Sequence, residues 1–337
     1  MKENESEVKM LLAGDIGGTK TLLGLFEPAA TRPREILVRS FPTLDYHDLP
    51  SMIAGFFALQ ATARPTIDCA CFGVAGPVLG HQAELTNVPW RVNALEVSRA
   101  FSIPHVSLLN DLQAMAYGVP LLTASEVHVL QRGEPNPDGN VALIAAGTGL
   151  GQALLHNVNR RLIPAASEGG HADFAARTER EIAVLRDVTK RFGRAEVERV
   201  VSGRGLSNIH RVTHTGACKA GIDPDDLESP AAISAAAVGG VCDGCVEALD
   251  LFLEAYGAEA GNLALRSVAT GGVFVGGGIA PKILPALEDG PFLRAFRGKS
   301  PLEPLLETIP VKVILNAQSG LLGAAFFAMT QTSSNEH

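Results

Sequence analysis

Two short glycine turns hold the residues with the clearest chemical potential. The first is Gly14-Asp15-Ile16-Gly17-Gly18-Thr19. Adjacent glycines permit positive φ and let backbone N–H groups converge on an anion. A bare carboxylate beside a phosphate is repulsive, so Asp15 reads as a holder of Mg²⁺ through water, with the phosphate sharing the ion. The run is no Walker loop, since Thr19 stands where that motif needs Gly before Lys. Nor is it a dinucleotide fingerprint, because a strand rather than a helix is expected next. An ordinary hairpin with a glycine turn is the plain alternative. The second turn, Gly147-Thr148-Gly149-Leu150-Gly151, repeats the design about 130 residues later, as a weak internal duplication. Two such units facing each other could clamp one polyphosphate from both sides.

Other polar clusters stand at the ends of apolar runs. Gly76, Asn110 and Asp111 follow the apolar stretches 68–75 and 105–109. Asn and Asp there also suit the cap of a following helix. Residues 167–174 form a polar loop with Glu168, His171 and Asp173.

The elements that must position these residues alternate. Residues 10–13 read as a buried strand, 22–26 as its return and 36–40 as a third strand. Apolar residues at helical spacing predict a helix over 49–63. A strand over 68–75, a hairpin through 81–85, a loop over 86–90, a helix over 94–101, a strand over 105–109 and a helix over 112–117 follow. Beyond the turn-rich segment 131–139, strands are expected over 141–146 and 152–156, and helices over 178–192 and 205–212. Residues 217–229 read as a loop. Residues 231–256 read as one long apolar helix, with Gly239-Gly240 as the point where it could break. A strand ends in Gly276-Gly277-Gly278, a strand covers 311–315, and a final helix over 317–329 carries small residues for close packing. Alternating strands and helices argue α/β with a partly parallel sheet, in which ligands gather beyond the carboxyl ends of strands.

Composition narrows the function classes. The 337 residues suggest roughly two domains, and 46% hydrophobic content supports a large core. No apolar run is long and uncharged enough to span a membrane, and the charged start MKENESEVK lacks a signal peptide's apolar segment, so a cytoplasmic protein is expected. A net charge of −8 argues against nucleic acid. Five cysteines include the spacing Cys242-x-x-Cys245. With no second CxxC or His pair recognised beside it, and a long helix around it, zinc or redox chemistry is not the favoured reading there. Cys69 and Cys71 read as small buried hydrophobes.

The blocks GDIGGTKT, LTNVPW, LLNDLQAMAYG, GTGLG, SEGGHADF, ERVVSG, GGVFVGGGIAPK and GLLGAA stand in the order and spacing of bacterial glucokinases. The chain resembles that family, part of the hexokinase–actin ATPase superfamily, from about residue 11 to residue 328. The resemblance implies an α/β, two-domain actin-like ATPase (ribonuclease H-like) fold with a cleft between the domains. It implies a small domain over 1–121, completed by the C-terminal segment 312–337, and a large domain over 122–311. Zinc-binding repressor-type sugar kinases share the phosphate loops but carry a cysteine-rich motif and, as regulators, a helix-turn-helix. Neither is recognised here. Departures from the family pattern are Lys20 for Asn, Arg204 for Pro, and Lys299 without the usual Gly-Arg-Phe after it.

Carried over residue by residue, the resemblance makes Asp111 the base that orients the sugar's primary hydroxyl and takes its proton. It makes Asn110, Asp111, Glu168, His171, Glu198 and Gly76 the sugar-binding set, since carboxylates, amides and imidazole match vicinal hydroxyls. A solvated turn is the plain reading of the Glu168–His171 loop, and a metal site of Glu168, His171 and Asp173 is a further one. Glu198 alone would pass for a solvated face. Gly14, Asp15, Ile16, Gly17, Gly18, Thr19, Gly147, Thr148 and Gly149 are expected to hold the triphosphate, with Asp15 on Mg²⁺. Gly276 and Gly277, with Gly278, are expected beside the adenosine. The expected activity is ATP-dependent phosphorylation of D-glucose to glucose 6-phosphate. A kinase for fructose, mannose or an amino sugar, and a non-catalytic sugar sensor, are the alternatives. The expected partners are glucose and ATP in a homodimer, with no nucleic acid or membrane.

Overall fold

The computed structural model describes residues 9–59, 65–85, 88–214 and 216–333. The charged N-terminus, the far end of the helix expected over 49–63, and Thr86 and Asn87 of the LTNVPW block lie outside these residues. The chain divides into two compact units, residues 1–122 with 318–337, and residues 123–317.

In the first unit β1 (Met10–Ile16), β2 (Lys20–Glu27) and β3 (Arg34–Pro42) form an antiparallel meander. Helix α1 (Leu49–Ala58) then crosses to β4 (Ile67–Val74), which lies parallel to β1. Strands β5 (Val78–Leu79), β6 (Gln82–Glu84) and β7 (Arg91–Asn93) form a small separate sheet. Helix α2 (Ala94–Phe101) leads to β8 (His105–Asn110), parallel to β4, and α3 (Asp111–Gly118) follows at once. The sheet order is β3-β2-β1-β4-β8.

The unbroken apolar run of β1 is explained by burial on both sheet faces, where a period of two sends alternate side chains to opposite cores. Leu12 and Ile16 pack with Met52 and Phe56 of α1 and Val97 of α2. Leu11 and Ala13 pack with Ala114 of α3 and with Leu321, Ala324 and Ala328 of the C-terminal helix Ser319–Ser333. That helix and α3 approach so closely that a side chain at Gly323 would run into the Ala114 carbonyl, and one at Gly118 into that of Ser319.

The second unit is built on β9 (Val127–Gln131), β10 (Val141–Ala146), β11 (Leu150–Val158), β12 (Arg161–Ser167), β13 (Gly272–Gly276) and β14 (Val311–Ile314), in the order β12-β11-β10-β13-β14-β9. The first five repeat the first unit: an antiparallel meander, then two parallel strands. The duplication read from two glycine turns is thus a duplication of whole sheets. The strand expected to return with the C-terminal segment to the first unit instead pairs with β13 and β9, and the helix alone returns. Backbone pairing decides this: β14 has its hydrogen-bonding partners in the second sheet.

Helices α4 (Glu179–Phe192), α5 (Gly203–Thr213), α6 (Pro230–Val238) and α7 (Asp243–Ser267) contribute Val184, Leu206, Ile233 and Phe252 to the large core against this sheet. The expected single helix over 231–256 is two helices, α6 and α7, bent by 105°. Gly240, at φ +63°, makes the break, a backbone region that disfavours other residues. Among the described residues no single helix is long and apolar enough to cross a membrane.

Candidate active site

In the first unit, the carboxyl ends of β1, β4 and β8 converge. Register sets Asp15 beside Leu22 of β2 and Gly73 of β4, and sets Asn110 beside Val74. The turn after β1 is tightly fastened. The Gly17 amide donates to the Lys20 carbonyl at 3.1 Å, and the Thr43 amide to the Thr19 carbonyl at 3.0 Å. The Thr43 hydroxyl donates to the Gly17 carbonyl at 2.8 Å and sits 2.9 Å from the Thr21 hydroxyl. Thr21 and Thr43, both fully buried, were not singled out from sequence; a polar pair inside two otherwise apolar runs was the only available signal.

The glycines here serve packing more than unusual backbone. Gly17 lies outside the positive-φ region expected for it, and a Cβ there would meet the Lys20 carbonyl at 2.9 Å. At Gly14 a Cβ would lie 2.5 Å from the Phe72 ring. Ile16 is a core side chain whose carbonyl accepts from the Ala75 amide at 3.0 Å. Gly18 and Thr19 stand at the tip, and Thr19 is exposed.

Asp15 is partly buried, with its carboxylate directed at the first turn of the C-terminal helix, where a Cβ on Gly320 would lie 2.8 Å from Oδ2. Burial pushes the Asp15 carboxyl up to about 6, against the opposing pull of the Lys20 cation. A carboxylate oxygen at a strand end is a hard donor of the kind Mg²⁺ takes, so this residue fits the ion proposed for it.

Asn110 is the N-cap of α3. Its Oδ1 accepts from the Leu112 amide at 3.0 Å and the Gln113 amide at 3.4 Å, and its Nδ2 donates to the Gly76 carbonyl at 3.4 Å. The cap reading of Asn110 therefore holds, and its amide also fixes the loop after β4. Asp111 opens the helix, and its Oδ1 accepts from Leu112 at 2.9 Å. Its Cα lies 3.6 Å from where a Cβ on Gly73 would be, so Asp111 stands over the same strand residue that flanks Asp15. Gly76 is a glycine because a side chain would run into the Glu84 carbonyl.

In the second unit, the turn after β10 closes through the Gly147 amide on the Gly149 carbonyl at 2.8 Å. The Gly203 amide, at the start of α5, donates to the Gly147 carbonyl at 2.8 Å. A Cβ on Gly147 would meet nothing within 4 Å among the described residues, and Thr148 is exposed. Residues 167–171 lie directly on this turn. A side chain at Gly170 would strike the Leu150 carbonyl, and one at Gly169 the Gln152 amide.

This packing gathers Glu168, His171 and Glu198 around the turn. Glu168 is exposed, and its carbonyl accepts from the His171 amide at 3.0 Å. His171 Nδ1 lies 3.1 Å from Glu196 Oε2. Potential ligand atoms of His171, Glu196 and Glu198 fall within 4.8 Å of one another. Glu196, two residues before Glu198, was missed in the sequence, although an acid at that spacing on a short turn points the same way. Asp173 turns elsewhere and pairs with Arg194 at 2.6 Å, so the grouping of Glu168, His171 and Asp173 as metal ligands does not form.

At the end of β13, Gly277 takes φ +84°, and a side chain there would strike the Ala146 carbonyl. A tight turn into the following 3₁₀ segment is therefore realised. The Tyr256 hydroxyl accepts from the Ala146 amide at 3.2 Å and lies 3.4 Å from the Gly276 carbonyl, joining the ends of β10 and β13. Gly278 is exposed, with nothing within 4 Å of a built Cβ among the described residues.

The family described as Glucokinase matches residues 12–331. The chain belongs to the glucokinase family. A glucokinase of a Nostoc species is 41% identical over 338 residues, covering 95% of this chain and 98% of that protein. Among solved structures, the glucokinase of an Antarctic psychrotroph has a TM-score of 0.83 at 30% identity, covering 96% of this chain and 99% of that one. A ROK family glucokinase from Streptomyces griseus, in complex with glucose and AMPPNP, has a TM-score of 0.63 at 22% identity over 95% of this chain and 99% of that one, a likeness of fold. The fold of this glucokinase-family chain is that of the actin-like ATPase sugar kinases.

Proposed function

We propose that the chain transfers the γ-phosphoryl group of ATP to the 6-hydroxyl of D-glucose, giving glucose 6-phosphate and ADP. The observation that carries this reading is the Asp111 carboxylate, set at the carboxyl end of β8 by the Asn110 cap in a chain of the glucokinase family. Phosphoryl transfer needs alignment and charge neutralisation more than covalent help. Asp111 orients the hydroxyl. It takes the proton as the bond from O6 to phosphorus forms and the bond to the ADP oxygen breaks. Glu168, His171, Glu198 and the loop at Gly76 hold the remaining hydroxyls. The turns at residues 14–19 and 147–149 hold the triphosphate, and Gly276 and Gly277 let the backbone approach the adenosine. Asp15 would hold Mg²⁺ through water, and that ion supplies charge neutralisation to the phosphates. Use of ATP as donor is consistent with a cytoplasmic protein.

Selectivity follows from stranded acceptors: a sugar lacking one hydroxyl leaves a binding group without its partner. A steady-state screen across hexoses and nucleoside triphosphates tests the assignment. Glucose with ATP gives the highest kcat/KM; equal or higher values on fructose, mannose or an amino sugar would overturn glucose as the substrate.

A further inference from the structure

Away from these residues, five metal-binding side chains meet at the far end of α5. His210 lies in the last turn of that helix, and His214 caps it. Cys218 follows four residues on, in the loop before α6. The break before α7 makes Cys242 the N-cap of that helix and puts Cys245 in its first turn. All three cysteines are buried free thiols.

The spacings are those of a metal centre. Cys218 Sγ is 3.7 Å from Cys242 Sγ and 3.6 Å from Cys245 Sγ, and His214 Nε2 is 3.3 Å from Cys242 Sγ. A tetrahedral zinc with Zn–S bonds of about 2.3 Å sets its sulfurs about 3.8 Å apart, and sulfur and nitrogen slightly closer. The tautomer of His214 is also fixed. Its Nδ1 lies 2.8 Å from the His210 carbonyl oxygen, which can only accept, so Nδ1 carries the proton and Nε2 presents its lone pair to the cluster. A backbone carbonyl on the second ring nitrogen is the usual outer partner of a metal-bound histidine.

His210 is a fifth donor beside the cluster, itself buried. It is 1% exposed, and both ring nitrogens are buried without a hydrogen-bond partner among the described residues. Its ring lies tilted against that of His214 with centroids 3.9 Å apart, and a nitrogen lies within 4.8 Å of the ligand atoms of His214, Cys218 and Cys245. Buried polar atoms in native proteins nearly always have partners, so His210 is a further nitrogen donor set beside these ligand atoms.

We propose that Cys218, Cys242, Cys245 and His214 bind one Zn²⁺ ion. Three thiol protons leave to solvent as the ion binds. Four protein ligands, three of them buried thiols, make it a closed structural site, and thiolate softness selects zinc over the hard cation that serves ATP. The ion ties the end of α5 and the segment around Cys218 to the start of α7. The opposite end of α5 holds the Gly147 carbonyl through the Gly203 amide, so the ion steadies the helix that backs that turn.

The test reads metal and spectrum, not turnover. The full-length chain, purified from zinc-supplemented growth without chelator, contains about one zinc per chain by mass spectrometry. Replacement by Co²⁺ gives thiolate-to-cobalt charge transfer and tetrahedral d–d bands. Cys245→Ala and His214→Ala lower zinc content by roughly tenfold or more, while His210→Ala keeps the cobalt spectrum. Wild-type chain that is folded, fully reduced and takes up neither metal would overturn the proposal, as would a disulfide among the three cysteines. Loss of metal in His210→Ala with retention in His214→Ala would overturn the ligand assignment.

Discussion

The Glu198 carboxylate accepts a hydrogen bond from the Leu150 amide at 2.8 Å. The same carboxylate lies 2.5 Å from where a Cβ on Gly149 would be, so it grips the glycine turn proposed to hold the phosphates. Glu198 is therefore not a solvated charge, and the sugar-binding role proposed for it comes with a structural one. Glu198→Ala strands the Leu150 amide at a cost of about 1–3 kcal/mol. The expected result is a lower Tm together with a raised KM for both glucose and ATP. A change confined to glucose would show that the Leu150 bond does not support the turn.

Asn110 acts through what it holds. Asn110→Ala removes the cap of α3 and costs about 1 kcal/mol of stability. It also frees the loop at Gly76 and the start of the helix that carries Asp111, so kcat falls as well. Asn110→Asp keeps an acceptor for the helix amides and is expected to recover most of the stability in a thermal melt. Equal loss of stability in both variants would contradict the cap as the source of the effect.

Gly170 tests the seating of the sugar loop. A methyl group there collides with the Leu150 carbonyl and must displace residues 168–171 from the turn. Displacement of the order of 1 Å in a positioned group can cost up to about 100-fold in rate. Gly170→Ala is expected to raise the KM for glucose by roughly tenfold or more while the melting transition stays cooperative. An unchanged KM for glucose would remove Glu168 and His171 from the sugar site.

Much of this arrangement is legible in the residues, because local chemistry carries it. Glycine turns between apolar runs mark β1–β2 and β10–β11, and Asn110-Asp111 marks both a strand end and a helix start. What sequence misses is long-range. Pairing of β14 with β9 joins residues far apart in the chain, and β9 is only five residues long. Cys242 and Cys245 read as part of one long helix because apolar residues run through both α6 and α7; Gly239-Gly240 marks in sequence where it could break, but not the 105° bend that carries them to Cys218 and His214. The i, i+4 spacing of His210 and His214, continued to Cys218, was the available signal. Gly14 and Gly76 invite a ligand reading in sequence, yet the Phe72 ring and the Glu84 carbonyl suffice to require glycine.

Asp111 carries the proposed proton transfer, and a single isosteric substitution isolates it. Turnover of wild type and Asp111→Asn is measured at saturating glucose and ATP in a coupled assay of ADP release, with glucose affinity followed by titration. With Asp111 as the base, glucose binding survives while kcat drops by about 10²–10⁴-fold. Near-wild-type turnover in Asp111→Asn would contradict it.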